Sequence, residues 1–333
     1  MPPADLARVR HLLIDDVDSA AATASHAALA RLPNLGRLLK CMRLESRQHC
    51  PPDGASSPHE LALARAHGLS AEPGRIPWAA FETQTIGVPC AWLTPAHLRL
   101  GMDNAQLLPP QELQLTEAQS RALLAACAPL LAETGIRLDY AAPTRWLAQG
   151  DALADLTSRA PERAARQRRL TRAQLAQAPT PGQRRQWMLL GSELEMLLAT
   201  HPVNQARSAQ RLWPVNAVWL WGAGALPRPH PPAPGVMVAP HRAQARALPH
   251  PDPSDDALAH AWRRIDADCI PALLAAQRAG CSVRITLSGQ QSGITLRSAA
   301  PGLRGWLQNW PNPWRGHTLP HWLEQIAPKT SLD

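Results

Sequence analysis

Residues 201–227, HPVNQARSAQRLWPVNAVWLWGAGALP, run from an amide- and arginine-bearing polar segment straight into a tryptophan-rich apolar run that closes on glycines. Within them, 215–221 (VNAVWLW) sets β-branched and indole side chains between Pro214 and Gly222-Ala223-Gly224, which predicts a buried strand ended by the glycines. Upstream, Trp187, Leu190, Leu194, Leu197 and Leu198 recur at helical spacing, so 183–200 reads as a helix. Helix, polar loop, strand and glycine turn in that order is the pattern of an α/β protein. The loop puts His201, Asn204, Arg207 and Asn216 at a strand edge, where they either line a polar pocket or cap a helix and satisfy the buried strand end. In the first case Arg207 grips a small phosphorylated or carboxylate ligand by two N–H groups, and the amides orient it.

Working outward, 11–14 predicts a short buried strand followed by Asp15, Asp16 and Asp18, at the edge where α/β sheets hold ligands. Residues 20–32 and 33–39 predict helices. The turn-rich loop 50–57 (CPPDGASS) leads into a helix over 58–67 ended by Gly68. Its Ser56 and Ser57 each offer an N-cap for that helix, the simpler role for either hydroxyl. Between 87 and 151 the texture turns to strand-like pieces, VPCAWL, HLRLGMD, IRLDY and TRWLAQG. A helix over 116–133, opened by a Thr116…Gln119 capping box, sits among them, and together they predict a smaller α+β lobe. Residues 152–180 read as helical. Further on, 236–239 predicts a core strand, 254–278 a long helix, and 281–298 a hairpin turning at 289–293. His250, Asp252, Asp255, Asp256 and His260 gather around the start of that long helix, where its dipole accounts for the carboxylates as well as a metal would.

Taken together, His201-Pro202-Val203-Asn204, Arg207, Asn216, Trp219-Leu220-Trp221-Gly222 and Gly224 resemble a segment of the archaeal-type cofactor-independent phosphoglycerate mutases of the alkaline-phosphatase superfamily. Pro33-Asn34-Leu35 with Leu38-Leu39 resembles that superfamily's start-region signature, and the chain as a whole is similar to the bacterial regulatory proteins named RpfE. The resemblance implies an alkaline-phosphatase-like mixed sheet core flanked by helices, built from 1–86 and 201–333. A smaller α+β lobe with a helical segment would be inserted over 87–200. It also implies a nucleophile from Ser56 or Ser57 and a Mn or Zn site drawing on Asp15, Asp16, His250, Asp252, Asp256 and His260. Two such ions would neutralise charge on the entering and leaving oxygens of a phosphoryl transfer.

The chain departs from that pattern after Leu287. Where the mutases carry an Asp-His pair, it reads Ser288-Gly289-Gln290-Gln291, and the donors over 250–260 come in a different order. Neutral side chains supply none of the missing charge. The expected function is a non-catalytic regulatory or ligand-sensing protein with a degenerate metal site and no cofactor. The alternative is an active metal-dependent phosphoglycerate mutase or phosphatase.

With 333 residues, 45% of them apolar, the chain can bury a full core. Its net charge of +8 raises a third possibility, nucleic-acid association, through the arginines between Arg159 and Arg172. That cluster reads instead as a solvated helix face, because its arginines spread around the axis. No apolar run reaches the roughly 18 residues of a spanning helix, and the start lacks a signal-like apolar stretch, so a cytoplasmic protein without a membrane partner is expected. The six cysteines show neither a CxxC pair nor zinc-finger spacing, which favours reduced thiols. Trp306, Trp310, Trp314 and Trp322 make the C-terminal region either a protein interface or part of the core.

Overall fold

The computed structural model describes residues 8–17, 32–101, 105–167, 170, 180–239, 255–298 and 319–326, with the backbone alone for residues 100 and 255–259. In chain order the elements are β1 (His11–Ile14), α1 (Pro33–Leu39), β2 (Met42–His49), α2 (Pro58–His67), α3 (Trp78–Thr83), β3 (Cys90–Ala96), β4 (Leu98–Leu100) and β5 (Ala105–Leu107). Then follow α4 (Glu117–Glu133), β6 (Arg137–Ala142), β7 (Arg145–Gln149), α5 (Pro161–Ala165), α6 (Pro181–Ala199), α7 (Pro202–Ala209) and β8 (Ala217–Gly224). The remainder are β9 (Val236–Val238), α8 (Asp255–Arg264), α9 (Ile270–Arg278), β10 (Arg284–Ser288), β11 (Ser292–Ser298) and α10 (Leu319–Glu324). No helix among the described residues is long and apolar enough to cross a membrane.

The chain divides into two units, Met1–Leu69 with Pro232–Asp333, and Ser70–Pro231. The expected boundaries at 86/87 and 200/201 therefore move, and residues 201–231 belong with the middle of the chain. The reason is strand pairing: β8 hydrogen-bonds to β3, from Ala96↔Ala217 to Cys90↔Gly224.

The first unit holds a mixed five-stranded sheet in the order β2-β11-β10-β1-β9. β1 runs parallel to both neighbours, with His11 opposite Val236 and Arg284. β10, β11 and β2 are successively antiparallel. Side chains alternate across a pleated strand. Leu12, Ile14, Ile285, Leu287, Ile294 and Leu296 fall on one face, buried against Leu35 and Leu38 of α1, Trp262 of α8, Leu273 of α9 and Trp322 of α10. Trp322 is thus a core residue, while Trp306, Trp310 and Trp314 lie outside the described residues. Burying six such aliphatic side chains contributes on the order of 10 kcal/mol before the entropy cost of ordering the chain. The other face carries His11, Thr286, Ser288, Gly293 and Thr295, and α2 lies over it: a Cβ on Gly293 would come 3.1 Å from Cβ of Pro58. Edge strand β2 exposes Arg43, Glu45 and Arg47, charges that discourage pairing with another sheet.

The second unit is built on an antiparallel sheet in the order β6-β7-β3-β8. Trp146 and Ala148 of β7 pack with Leu123, Cys127 and Leu131 of α4 and with Leu190, Leu194 and Leu198 of α6. α4 starts at the expected Thr116…Gln119 capping box, and α6, expected from residue 183, starts two residues earlier behind a Thr180…Gln183 capping box. β8 stops at Gly224, within the expected glycine run, but Gly222 lies inside the strand rather than after it. Gly222 has φ +63°, and a Cβ there would come 2.9 Å from Cβ of Trp78. Glycine is present because α3 closes directly on the strand.

Two further elements differ from their sequence reading. The helix expected over 254–278 is divided into α8 and α9 by a π-helical turn, Ile265–Cys269. Pro271, in the first turn of α9, has no N–H to give to a carbonyl four residues back, which favours the wider winding just before it. The arginine-rich segment is not a solvated face throughout: Arg159 and Arg163 are buried. Ala164 and Leu170 pack around Trp219, whose indole N–H donates to the Arg159 carbonyl at 2.8 Å, and this draws the flanking arginines inward. Arg168, Arg169 and Arg172, and the helix expected over 20–32 up to residue 31, lie outside the described residues.

Candidate functional site

Asp15 and Asp16 follow β1 where two parallel neighbours flank it, as expected for a sheet-edge site. Asp16 adopts the left-handed conformation (φ +57°), which Asp tolerates better than most residues. Its Oδ1 accepts a hydrogen bond from Nε2 of Gln290 at 2.9 Å, and Val17 N–H donates to the Ser288 carbonyl at 3.1 Å. The loop after β1 is therefore knit to the turn after β10, and Cys50 N–H joins it by donating to the Gln291 carbonyl at 2.7 Å. Ser57 caps α2: its Oγ accepts from Glu60 N–H at 3.1 Å, while its own N–H donates to the Glu60 carboxylate at 2.8 Å. Ser56, one residue earlier, is buried.

Of the other metal-ligand candidates, His260 is exposed on α8, and Asp256 lies on the same helix. His250 and Asp252 fall outside the described residues, as does the side chain of Asp256. Among the described residues no group of three or more His, Cys, Asp or Glu converges as a metal requires. Asp16 meets an amide, and the described donors around it do not by themselves make up a two-metal centre.

Pro33-Asn34-Leu35 has a structural partner that sequence reading missed. The buried carboxylate of Asp266 accepts from Leu35 N–H at 2.7 Å and from the Asn34 side chain at 3.3 Å, so it caps α1 from the π-helical turn.

In the second unit, the four residues at the strand edge are engaged by the protein itself. His201 is the N-cap of α7, its Nδ1 accepting from Val203 N–H at 3.2 Å. Asn204 is buried, donating to the carbonyls of Leu198 and Val215 and accepting from Val215 N–H at 2.8 Å. Asn216 exchanges two bonds with the main chain of Leu98, at 2.8 and 2.9 Å. Arg207 is fully buried and donates to the carbonyls of Trp213 and Leu113 and to the side chain of Gln119. The capping and strand-end alternative describes what each of these side chains does.

A cavity of about 450 Å³ lined by both polar and apolar groups lies in the first unit, on the face of the sheet covered by α2. Arg10, His11, Arg65, Arg284, Glu45, Thr286 and Thr295 are among its lining residues, with the paired Ser288 and Gly293 where β10 turns into β11. His11 Nε2 bonds Thr286 Oγ1 at 2.8 Å, and that oxygen bonds Thr295 Oγ1 at 2.9 Å. Arg284 holds the Glu45 carboxylate by two bonds at 2.8 and 3.0 Å, which lowers the Glu45 pKa against the opposing effect of burial. Burial, reinforced by the charge of Arg284, pushes His11 down to about 4, so the ring is neutral near pH 7. The signal for this site was present in the sequence. In 284–288 and 293–297 the residues alternating with Ile and Leu are Arg, Thr, Ser and Gly, too polar for a face packed by an apolar helix.

No family model matches the chain, and no curated protein matches it. Solved structures that match include the cofactor-independent phosphoglycerate mutase of Thermoplasma acidophilum, at 15% identity over 86% of this chain and 89% of that one, with a TM-score of 0.35. The PH0037 protein of Pyrococcus horikoshii matches at 12% identity over 92% and 96% of the two chains, with a TM-score of 0.41. Both scores are low.

Proposed function

We propose that this chain is a non-catalytic, ligand-sensing regulatory protein, distantly related to cofactor-independent phosphoglycerate mutases and to the RpfE type of regulator. The supporting observation is the 2.9 Å bond from Gln290 to Asp16 at the adjoining ends of β1 and β10. A phosphoryl-transfer centre needs charge there, and a neutral amide bound to the carboxylate provides none. The test is turnover of phosphoglycerate with added Mn, by the purified protein and by a Ser56→Ala/Ser57→Ala variant, alongside metal analysis. Equal background rates and no stoichiometric metal are expected. Mn-dependent turnover that the variant loses while keeping its thermal melt would overturn the reading.

The second reading, an active metal-dependent phosphoglycerate mutase or phosphatase, draws on the position of Asp15 and Asp16 after a strand with parallel neighbours on both sides. Mn or Zn would be its metal, with His250, Asp252, Asp256 and His260 as further donors.

A further inference from the structure

The cavity beneath α2 is a site that neither the mutase resemblance nor the strand-end carboxylates account for. We propose that it binds a small hydroxylated oxyanion, a polyol bearing one carboxylate or phosphate group.

Charge is the first argument. Among the described lining residues, three guanidinium groups, those of Arg10, Arg65 and Arg284, stand beside one carboxylate, that of Glu45, which Arg284 already holds. The excess is positive, and guanidinium N–H groups match the planar or tetrahedral oxygens of an oxyanion. Hydrogen bonding is the second. His11, Thr286 and Thr295 form a continuous polar row along the cavity, the arrangement that reads hydroxyl groups. Ser288 lines the same space, and its Oγ is fully buried without a hydrogen-bond partner among the described residues. A buried hydroxyl of this kind is normally satisfied, so Ser288 calls for a partner from outside the chain. Space is the third. Ala62 and Ala66 of α2, Ala233 and Gly293 are all small where they meet the cavity, and its volume lies in the range that holds a small solute.

The inference rests on the ligand-sensing reading for its biological use and supplies the place and chemistry of the ligand. Calorimetric titration of the full chain, without Mn and in a buffer free of oxyanions, tests it with gluconate, glycerol 3-phosphate and neutral glycerol. Saturable one-to-one binding of gluconate or glycerol 3-phosphate is expected, at least tenfold weaker in Arg65→Gln, and the stronger of the two identifies the anionic group. Arg65 is exposed on α2, so that variant keeps the fold. Ala62→Met, which fills the cavity from the helix side, should weaken binding by at least the same factor. The proposal fails if neither anion binds, if Arg65→Gln binds as tightly as the parent chain, or if glycerol binds as well as the anions. Mn-dependent turnover would remove the sensing reading and leave this titration unchanged, so the two can fail separately.

Discussion

A buried guanidinium is costly unless its N–H groups find acceptors, and Arg207 satisfies that condition with two main-chain carbonyls and one side-chain amide. Burial lowers its pKa from the usual arginine value without a carboxylate partner to offset it. In Arg207→Met the carbonyls of Trp213 and Leu113 lose their donors inside the protein, and unfolding in urea should show a loss of about 2–4 kcal/mol. A loss below about 0.5 kcal/mol would show that Arg207 does not hold this loop. His11 makes stability depend on pH in a definite direction. Its pKa falls from 6.5 to about 4 on folding, so between those values the unfolded chain binds more protons. The contribution of the neutral ring is complete above the unfolded value and is lost as pH falls from 6.5 toward 4. On the order of 3 kcal/mol is at stake. Thermal melts between pH 7 and 4 should therefore decline less steeply for His11→Gln than for the parent chain, and parallel declines would contradict the assignment. Paired Glu45, whose pKa is also lowered, loses its contribution only further into acid.

At the level of elements, α1 shows how a helix can depend on a residue more than two hundred positions away. It has no side-chain cap of its own at Leu32, and the carboxylate of Asp266 takes over that role. The π-helical turn that presents Asp266 arises between α8 and α9 next to Pro271. Asp266→Ala should destabilise the first unit by about 1–3 kcal/mol, and hydrogen exchange of the Leu35 and Gly36 amides should accelerate. Unchanged protection of those amides would mean that the cap is dispensable. Helix starts were legible from sequence where the cap is local, as at Ser57 and Thr116, because a capping box involves residues only three positions apart. The cap of α1 was not, because it joins residues that only packing brings together.

Across the whole molecule, each unit buries a cluster of its own, one around Leu12 and Leu287 and one around Trp146 and Leu194. Seven of the twelve tryptophans, at 78, 92, 146, 187, 213, 219 and 221, lie in the second unit, so intrinsic fluorescence reports mainly on it. Leu287→Ala leaves a cavity in the first cluster worth about 2–5 kcal/mol. It should shift part of the circular-dichroism unfolding curve to lower denaturant while the fluorescence transition stays in place. A common shift of both curves would show that the units unfold as one. Most of the helices and strands, their apolar faces and the alternation of Thr, Ser and Arg that marks the polar sheet face are legible along the chain, since these depend on residues within a few positions of one another. The pairing of β8 with β3, the service of Arg207 to the loop around it, and the meeting of Arg65, His11, Thr286 and Ser288 in one cavity emerge only when the chain folds. A strand's sequence fixes which face is buried but leaves its main-chain donors and acceptors open to any neighbour, and that choice is made by packing over the whole chain.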